Sequence, residues 1–177
     1  MSIVLYSENE TALRKTSRPV KDINRRVKRL IRYLKDTLNN HSDAIGLAAP
    51  QINIHRRVVV VRLGSERDKN IEPGPPIALI NPRIIEAGDE KPDFDGCLSF
   101  PGLYAETIRP HRLRVACMDD GGNPFHKTFV GFDAVVVHHE IDHLDGRLFI
   151  DRLVSIGSLY RIQMDEHGRR VRVPASA

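Results

Sequence analysis

The feature of this sequence that most constrains its fold is the run at residues 138–146, which reads His-His-Glu-Ile-Asp-His-Leu-Asp-Gly. On a helix, His139 and His143 lie one turn apart on the same face, so both imidazoles can bind one metal ion. Glu140 lies beside them and can take a proton from a water molecule at that ion. The run therefore predicts a metal-motif helix, and the alternative is an ordinary helix with two partly exposed histidines.

The residues that flank this run fit a buried helix. Residues 134–137 are apolar, and Gly146 is suited to the left-handed conformation that ends many helices. Phe132, Val135 and Val136 lie seven, four and three residues before the first metal-ligand candidate, which places an apolar surface beside the two imidazoles. These residues predict a binding site for an apolar side chain.

The composition is that of an ordinary globular protein. The 177 residues fit one domain, 1–177, with a tail from about residue 165 that we expect to be disordered. No stretch approaches the roughly 20 apolar residues needed to span a bilayer, and no secretory leader is apparent, so we expect no membrane contact and a cytoplasmic protein. In a reducing compartment Cys97 and Cys117 should be thiols.

The net charge of +4 weakly favours a polyanionic partner such as RNA. The basic excess is concentrated in two groups, one before residue 33 and one in the tail: Arg25, Arg26, Lys28, Arg29 and Arg32, and Arg169, Arg170 and Arg172. Solvated faces explain both groups more simply.

An amphipathic helix is predicted near the N-terminus. Asp22 can cap it, and it ends near residues 39–42. Its apolar positions follow three-and-four spacing: Ile23, Val27, Leu30, Ile31, Leu34 and Leu38.

The residues between this helix and the metal-motif helix predict strands. Residues 57–63 and 76–86 should form two strands separated by a loop at 65–75. Residues 113–118 and 125–130 should pair as a hairpin across an Asp-Asp-Gly-Gly-Asn turn.

After the metal-motif helix, we predict a short strand or extended segment at residues 148–154 and one more helix within residues 155–168. Because hairpins dominate and mostly precede the metal-motif helix, the sheets should be largely antiparallel. The sequence thus predicts an α+β fold with mostly antiparallel sheets packed around a central helix that carries the metal motif, and with an N-terminal amphipathic helix.

Two histidines leave the metal ion short of a third protein ligand. A third histidine three residues after Gly146 is excluded, because that position holds Phe149. A downstream glutamate such as Glu166 would give a zinc-peptidase arrangement, whereas Cys97 would supply a soft, strongly binding thiolate. The residues alone leave these two alternatives open.

Three segments together resemble the peptide deformylase family. Residues 44–51 (Ala-Ile-Gly-Leu-Ala-Ala-Pro-Gln), 95–99 (Asp-Gly-Cys-Leu-Ser) and 138–146 are similar to that family's Gly-x-Gly-Leu-Ala-Ala-Pro-Gln, Glu-Gly-Cys-Leu-Ser and Gln-His-Glu-x-Asp-His-Leu-x-Gly. Their order and separations also match, over nearly the whole chain. The resemblance implies a hydrolase that removes the formyl group from N-formylmethionyl peptides, commonly with Fe(II). Such a site also accepts Zn(II), Ni(II) or Co(II).

The resemblance also implies a role for each residue that matches a family motif. The metal ligands would be Cys97, His139 and His143. Glu140 would be the general acid and base, while Gln51 and the backbone N–H of Leu98 would hold the developing oxyanion. Arg109 matches a family arginine near the bound peptide, with a surface ion pair as the alternative. The substrate pocket would be formed by Ile45, Gly46, Phe132, Val135 and Val136.

Three motif positions differ from the family, and they keep other functions open. Ala44 replaces a glycine, Asp95 a glutamate and His138 a glutamine. We expect His138 to lie behind the ligands or at the surface, because it is about 100° around the helix from His139. The alternatives are a hydrolase of another N-formyl or amide substrate, a zinc peptidase, and a non-catalytic metal-binding relative.

The family can also dock on the ribosome through its C-terminal segment. This implies that Arg161 and the basic residues at 169–172 contact rRNA, although a solvated tail explains them equally well.

Overall fold

The strands of this protein form one antiparallel sheet in a computed structural model that describes residues 2–42, 44–64 and 74–175. Its strands are β1 (Gly46–Ala48), β2 (Val58–Val61), β3 (Ile77–Gly96), β4 (Leu103–Met118), β5 (Pro124–Val130), β6 (Leu159–Met164) and β7 (Arg170–Pro174). The α-helices are α1 (Tyr6–Leu13), α2 (Arg25–Asn39) and α3 (Phe132–Leu144). Three 3₁₀ turns cover Ala49–Ile52, Phe149–Arg152 and Ile156–Ser158. The predicted α+β class with antiparallel strands is confirmed.

The long strand β4 determines the shape of the sheet. The strand order is β1-β2-β3-β4-β6-β7, and β5 also pairs with β4. β5 pairs with the second half of β4, from Arg112 to Met118, whereas β6 pairs only with Leu103 to Ala105. The sheet therefore curls, and α3 packs against β1, β2, β4 and β5. All residues of α3 from Ala134 to Leu144 are buried.

The end of α3 is fixed by Gly146. The N–H groups of Gly146 and Arg147 donate to the carbonyls of His143 and Asp142, which is a Schellman motif with Gly146 at φ +72°. A Cβ at this position would lie 2.7 Å from the carbonyl carbon of Arg14. The glycine is therefore required both by its backbone conformation and by the close approach of another segment.

We expect Gly146→Ala to lower the free energy of unfolding by about 3 kcal/mol, because left-handed strain and a backbone clash act together. Urea unfolding would measure this change. The matched control is Gly168→Ala, since Gly168 has φ +71° but a Cβ there would meet no described atom within 4 Å. Its cost should be about 1 kcal/mol. Equal losses for the two variants would contradict the clash.

Helix α2 begins two residues later than the sequence predicts. Asn24, rather than Asp22, is the cap, because its Oδ1 accepts hydrogen bonds from the N–H groups of Arg26 and Val27. The buried residues of α2 pack on the valines of β2 and on the start of β3: Leu30, Ile31, Leu34 and Leu38.

The predicted hairpin is confirmed, with register from Arg112↔Val130 to Met118↔Pro124. Asp119 Oδ1 in its turn accepts from the N–H groups of Gly121 and Asn123. Strand β3 extends ten residues beyond the predicted 76–86, because its polar second half pairs along β4. Of the predicted loop at 65–75, residues 65–73 lie outside the described residues.

The predictions for the C-terminal region are wrong. Residues 149–152 form a 3₁₀ turn rather than the predicted short strand or extended segment, and residues 159–164 form β6 rather than a helix. Residues 170–174, where we expected disorder, form β7 and pair with β6. Tyr160, Ile162 and Met164 alternate with polar residues, which is a strand pattern, and Asp165 and Gly168 provide the turn.

Candidate functional site

The metal-motif helix α3 and the end of β3 bring three ligand atoms together. Cys97, which directly follows β3, His139 and His143 each offer one ligand atom, and these atoms lie within 4.8 Å of one another. Cys97 Sγ is 3.3 Å from His143 Nε2. Both histidines are buried, and one thiolate with two imidazoles is a donor set that suits a divalent transition metal. This group can therefore bind one metal ion.

Glu166 does not take part in this group. Its side chain is 86% exposed and lies in the turn between β6 and β7. Position 149, where another peptidase arrangement has its third histidine, holds a buried phenylalanine whose ring stacks on that of His139. The zinc-peptidase alternative is therefore wrong.

Asp95 fixes the orientation of His139. Asp95 Oδ1 is 2.7 Å from His139 Nδ1, so this nitrogen donates its hydrogen, and Nε2 is the atom that binds a metal ion when the imidazole is neutral. Burial disfavours a charged imidazole, but the Asp95 carboxylate raises the pKa of His139 well above its usual value. For Asp95 itself, burial opposes ionisation, but His139 and Arg109 lower the pKa. Asp95, although shorter than the glutamate of the family motif, therefore still reaches His139.

His143 is held as a neutral imidazole. Burial and the positive charge of His139 lower the pKa of His143 well below its usual value. Its Nδ1 is buried and makes no hydrogen bond to the described residues. A neutral imidazole is the form that binds a metal ion, so this environment favours ligation.

Glu140 is buried against the backbone of β1. A Cβ at Gly46 would lie 2.7 Å from the Glu140 carboxyl carbon, so any larger residue there would force the Glu140 side chain to move. Glu140 Oε2 is buried without a hydrogen-bond partner among the described residues. Burial raises the pKa of Glu140 to about 7. A carboxyl group with such a pKa can both accept and donate a proton near neutral pH.

Gln51 places an amide N–H₂ group beside the cysteine. Its Oε1 accepts a hydrogen bond from the N–H of Ala48, which fixes the orientation of the amide. Its Nε2 donates to Cys97 Sγ at 3.4 Å and to Ser99 Oγ at 3.3 Å. The side chain is therefore a positioned donor at the metal group.

A pocket of about 310 Å³ opens onto these residues. Glu140, Gln51, Cys97 and His139 lie in its wall, together with Leu98. The five residues predicted to form the substrate pocket also line it: Ile45, Gly46, Phe132, Val135 and Val136. The lining suits an apolar side chain held next to the metal group.

Arg109 lies neither on the surface nor in the pocket wall. The residue is 0% exposed, and its guanidinium donates to Asp95 Oδ2 at 2.6 Å and to Asp142 Oδ2 at 2.8 Å. The predicted contact with a bound peptide and the alternative of a surface ion pair are both wrong. The physical reason is that two buried carboxylates behind the metal group require a buried cation.

Asp142 and Arg152 were not predicted from the sequence to belong to this site. Both oxygens of Asp142 accept hydrogen bonds from Arg152, at 2.6 and 2.7 Å. Burial alone would raise the pKa of Asp142, but Arg152 and Arg109 lower it to about 2. The signal was present in the sequence, because an aspartate within a helix that is otherwise buried needs a cationic partner.

The remaining departures from the family motifs are accommodated. His138 is 7% exposed, and its Nδ1 accepts a hydrogen bond from Arg109 Nη1 at 2.8 Å. Burial lowers the pKa of His138 to about 4, so it is neutral. Ala44 is buried and does not have a positive φ, so the glycine that it replaces is not needed for backbone conformation.

Comparison with known proteins points to one family. The family model described as polypeptide deformylase matches residues 1–158. Peptide deformylase 1 of Pseudomonas syringae pv. tomato is 36% identical over 148 residues, which covers 83% of this chain and 84% of that protein.

Solved structures agree with the sequence comparison. The peptide deformylase of Thermotoga maritima is 33% identical with a TM-score of 0.76, covering 86% of this chain and 97% of that chain. The peptide deformylase of Synechococcus elongatus, in complex with actinonin, is 34% identical with a TM-score of 0.76, covering 88% of this chain and 79% of that chain. In the described part of the chain, no helix is both long and apolar enough to cross a bilayer.

Proposed function

The chain belongs to the polypeptide deformylase family, and from this premise we propose how its own residues carry out the reaction. It is a hydrolase that removes the N-formyl group from nascent peptides, with N-formylmethionyl peptides as substrate and formate as product. The observation that carries the residue assignment is the convergence of Cys97, His139 and His143 beside the buried carboxyl group of Glu140.

We propose that Cys97, His139 and His143 hold one divalent metal ion. When bound there, the ion would supply Lewis acidity and lower the pKa of water. The three ligand atoms are close enough to share one ion, Asp95 orients the ring of His139, and the surroundings of His143 favour its neutral form. Fe(II) is the metal that we propose, with Zn(II), Ni(II) and Co(II) as further ions that such ligands accept.

Glu140 moves the proton in this proposal. Its carboxylate accepts a proton from the attacking water as the water oxygen bonds to the formyl carbon. When the C–N bond breaks, Glu140 gives this proton to the departing amine, and formate is released. Glu140 is buried against Gly46 and lines the pocket, so the pocket gives water a route to it.

Gln51 and Leu98 stabilise the negative charge that forms on the formyl oxygen. Ala48 holds the Gln51 amide, so its N–H₂ group already faces Cys97, and one hydrogen that now points to Cys97 Sγ or Ser99 Oγ would turn to the formyl oxygen. Leu98 follows Cys97 and lines the same pocket, and we propose that its backbone N–H is the second donor. The backbone of Gly46 lines the formyl site. Ile45, Phe132, Val135 and Val136 receive the methionine side chain.

The test is formate release from formyl-Met peptides, compared with other formamides, by protein that is purified without oxygen and analysed for metal. We expect release from formyl-Met peptides, loss of release after chelation, and recovery when Fe(II) is added. Preference for another formamide would favour a related hydrolase of different substrate. No release from either compound by metal-loaded protein would favour a non-catalytic metal-binding relative.

We also propose that the hairpin of β6 and β7 contacts rRNA, because this hairpin carries exposed cationic side chains. Arg161 and Arg170 are exposed, whereas Arg169 and Arg172 form ion pairs with Asp165 and Glu106. Arg161→Ala/Arg170→Ala should weaken cosedimentation with ribosomes and flatten its dependence on salt, because fewer phosphate contacts remain. Unchanged cosedimentation would exclude these two side chains. A substrate that emerges from ribosomes also supports our prediction of a cytoplasmic protein. The one sheet that the seven strands share supports our prediction of a single domain over residues 1–177.

A further inference from the structure

Behind the metal group, four side chains of alternating charge lead from the surface to His139. Arg152 is 24% exposed, whereas Asp142, Arg109 and Asp95 are 6%, 0% and 5% exposed. We propose that Arg152 is a positioning residue. By binding the Asp142 carboxylate, it leaves Arg109 hydrogen-bonded to Asp95, and Asp95 in turn keeps its hydrogen bond to His139. This inference rests on the proposed metal site, but its test does not depend on formate release.

The hydrogen bonds of Arg109 leave it little freedom. Its Nε donates to Asp95 at 2.6 Å, and its Nη1 lies 2.8 Å both from Asp142 Oδ2 and from His138 Nδ1. The two hydrogens on Nη1 can serve both acceptors. The guanidinium therefore holds Asp95 with one edge and Asp142 with the other, and its position depends on both carboxylates.

Arg152 determines how strongly Asp142 attracts Arg109. Arg152 binds both oxygens of Asp142 in a bidentate arrangement, which satisfies most of the charge of that carboxylate. Without Arg152, two buried carboxylates would share the single guanidinium of Arg109, and Asp142 would carry uncompensated charge. We expect Arg109 then to move toward Asp142, which weakens its bond to Asp95 and loosens His139.

A purely electrostatic role of Arg152 predicts the opposite change in metal affinity when this residue is removed. If Arg152 acted only as a remote positive charge, its removal would strengthen the binding of a cation, because a repulsive charge would be lost. If it acts by positioning, its removal weakens binding, since partners behind metal ligands typically contribute about 10- to 100-fold in affinity. The direction of the change thus distinguishes the two roles.

The experiment uses the full chain loaded with Co(II), whose visible absorption reports ligand geometry. The rate of Co(II) loss to a chelator is compared for wild type, Arg152→Met and Arg152→Lys. We expect about tenfold faster loss for Arg152→Met together with an altered spectrum. Arg152→Lys keeps the charge but cannot hold both oxygens of Asp142. Its rate of Co(II) loss should therefore lie between those of wild type and Arg152→Met. Loss from both variants at the wild-type rate, or more slowly, would overturn the proposal.

The matched control is Arg14→Met. Arg14 forms ion pairs with Asp151, the neighbour of Arg152 in the same 3₁₀ turn, and with Glu10. It tests whether loss of any arginine that holds this turn releases the metal ion. Wild-type Co(II) loss in Arg14→Met supports the proposal, and loss as fast as in Arg152→Met would reduce Arg152 to a structural role.

The outcomes also separate this inference from the proposed function. If Arg152→Met does not fold, Arg152→Lys decides, because a purely electrostatic role predicts wild-type Co(II) loss for it. Formate release that is absent from Co(II)-loaded wild type would contradict the function alone. A wild type that does not bind Co(II) would contradict the proposed metal site and this inference together.

Discussion

Replacing Glu140 by glutamine should lower kcat/KM for formate release by about 10²- to 10⁴-fold, the usual contribution of a positioned general acid and base. Glutamine has the same shape, so its packing against Gly46 is kept, but its amide cannot take the proton of water. The buried Oε2 atom makes no hydrogen bond to the described residues, so the substitution removes little structural bonding. Steady-state kinetics on a formyl-Met peptide would measure the effect.

Metal content and a second glutamate provide the controls for this variant. Glu140 is not one of the three grouped ligand residues, so Glu140→Gln should bind as much metal as wild type. Glu166→Gln changes a glutamate whose side chain is 86% exposed in the turn between β6 and β7, and it should leave kcat/KM unchanged. A Glu140→Gln enzyme that keeps activity within about threefold of wild type would remove Glu140 from the proton transfer, given the size of such contributions.

The parts of the fold that could be predicted from sequence are those with local patterns. Helix α2 shows three-and-four apolar spacing, and the hairpin of β4 and β5 has alternating residues around a strong turn. The second half of β3 has no such pattern, because pairing with β4 rather than burial determines its conformation. Its strand structure is a tertiary effect that local sequence does not show.

The same distinction holds for the candidate site. His139, Glu140 and His143 lie on one helix, so their spacing alone places them together. Cys97 is more than forty residues away, and the residues alone could not choose between it and Glu166. The resemblance favoured Cys97, and the structure groups this residue with the two histidines.

The position of Arg109 was predicted wrongly because a sequence shows that a residue is charged but not that it is buried. A lone arginine on a strand is usually exposed, and only the fold places Asp95 and Asp142 on either side of it. Once both carboxylates are known to be buried, the guanidinium becomes a requirement of the fold.

Arg109→Met should lower the free energy of unfolding by about 3–5 kcal/mol, because it removes the buried cation that Asp95 and Asp142 share and leaves them with His139 and Arg152 alone. Urea unfolding of metal-free protein measures this effect without contribution from a bound ion. The control on the same strand is Arg114→Met, which removes an ion pair with Glu86 whose side chains are 45% and 60% exposed. That variant should lose less than about 1 kcal/mol. If Arg109→Met were as stable as Arg114→Met and instead showed only a raised KM for the formyl peptide, Arg109 would be a substrate contact rather than the buried cation between two carboxylates.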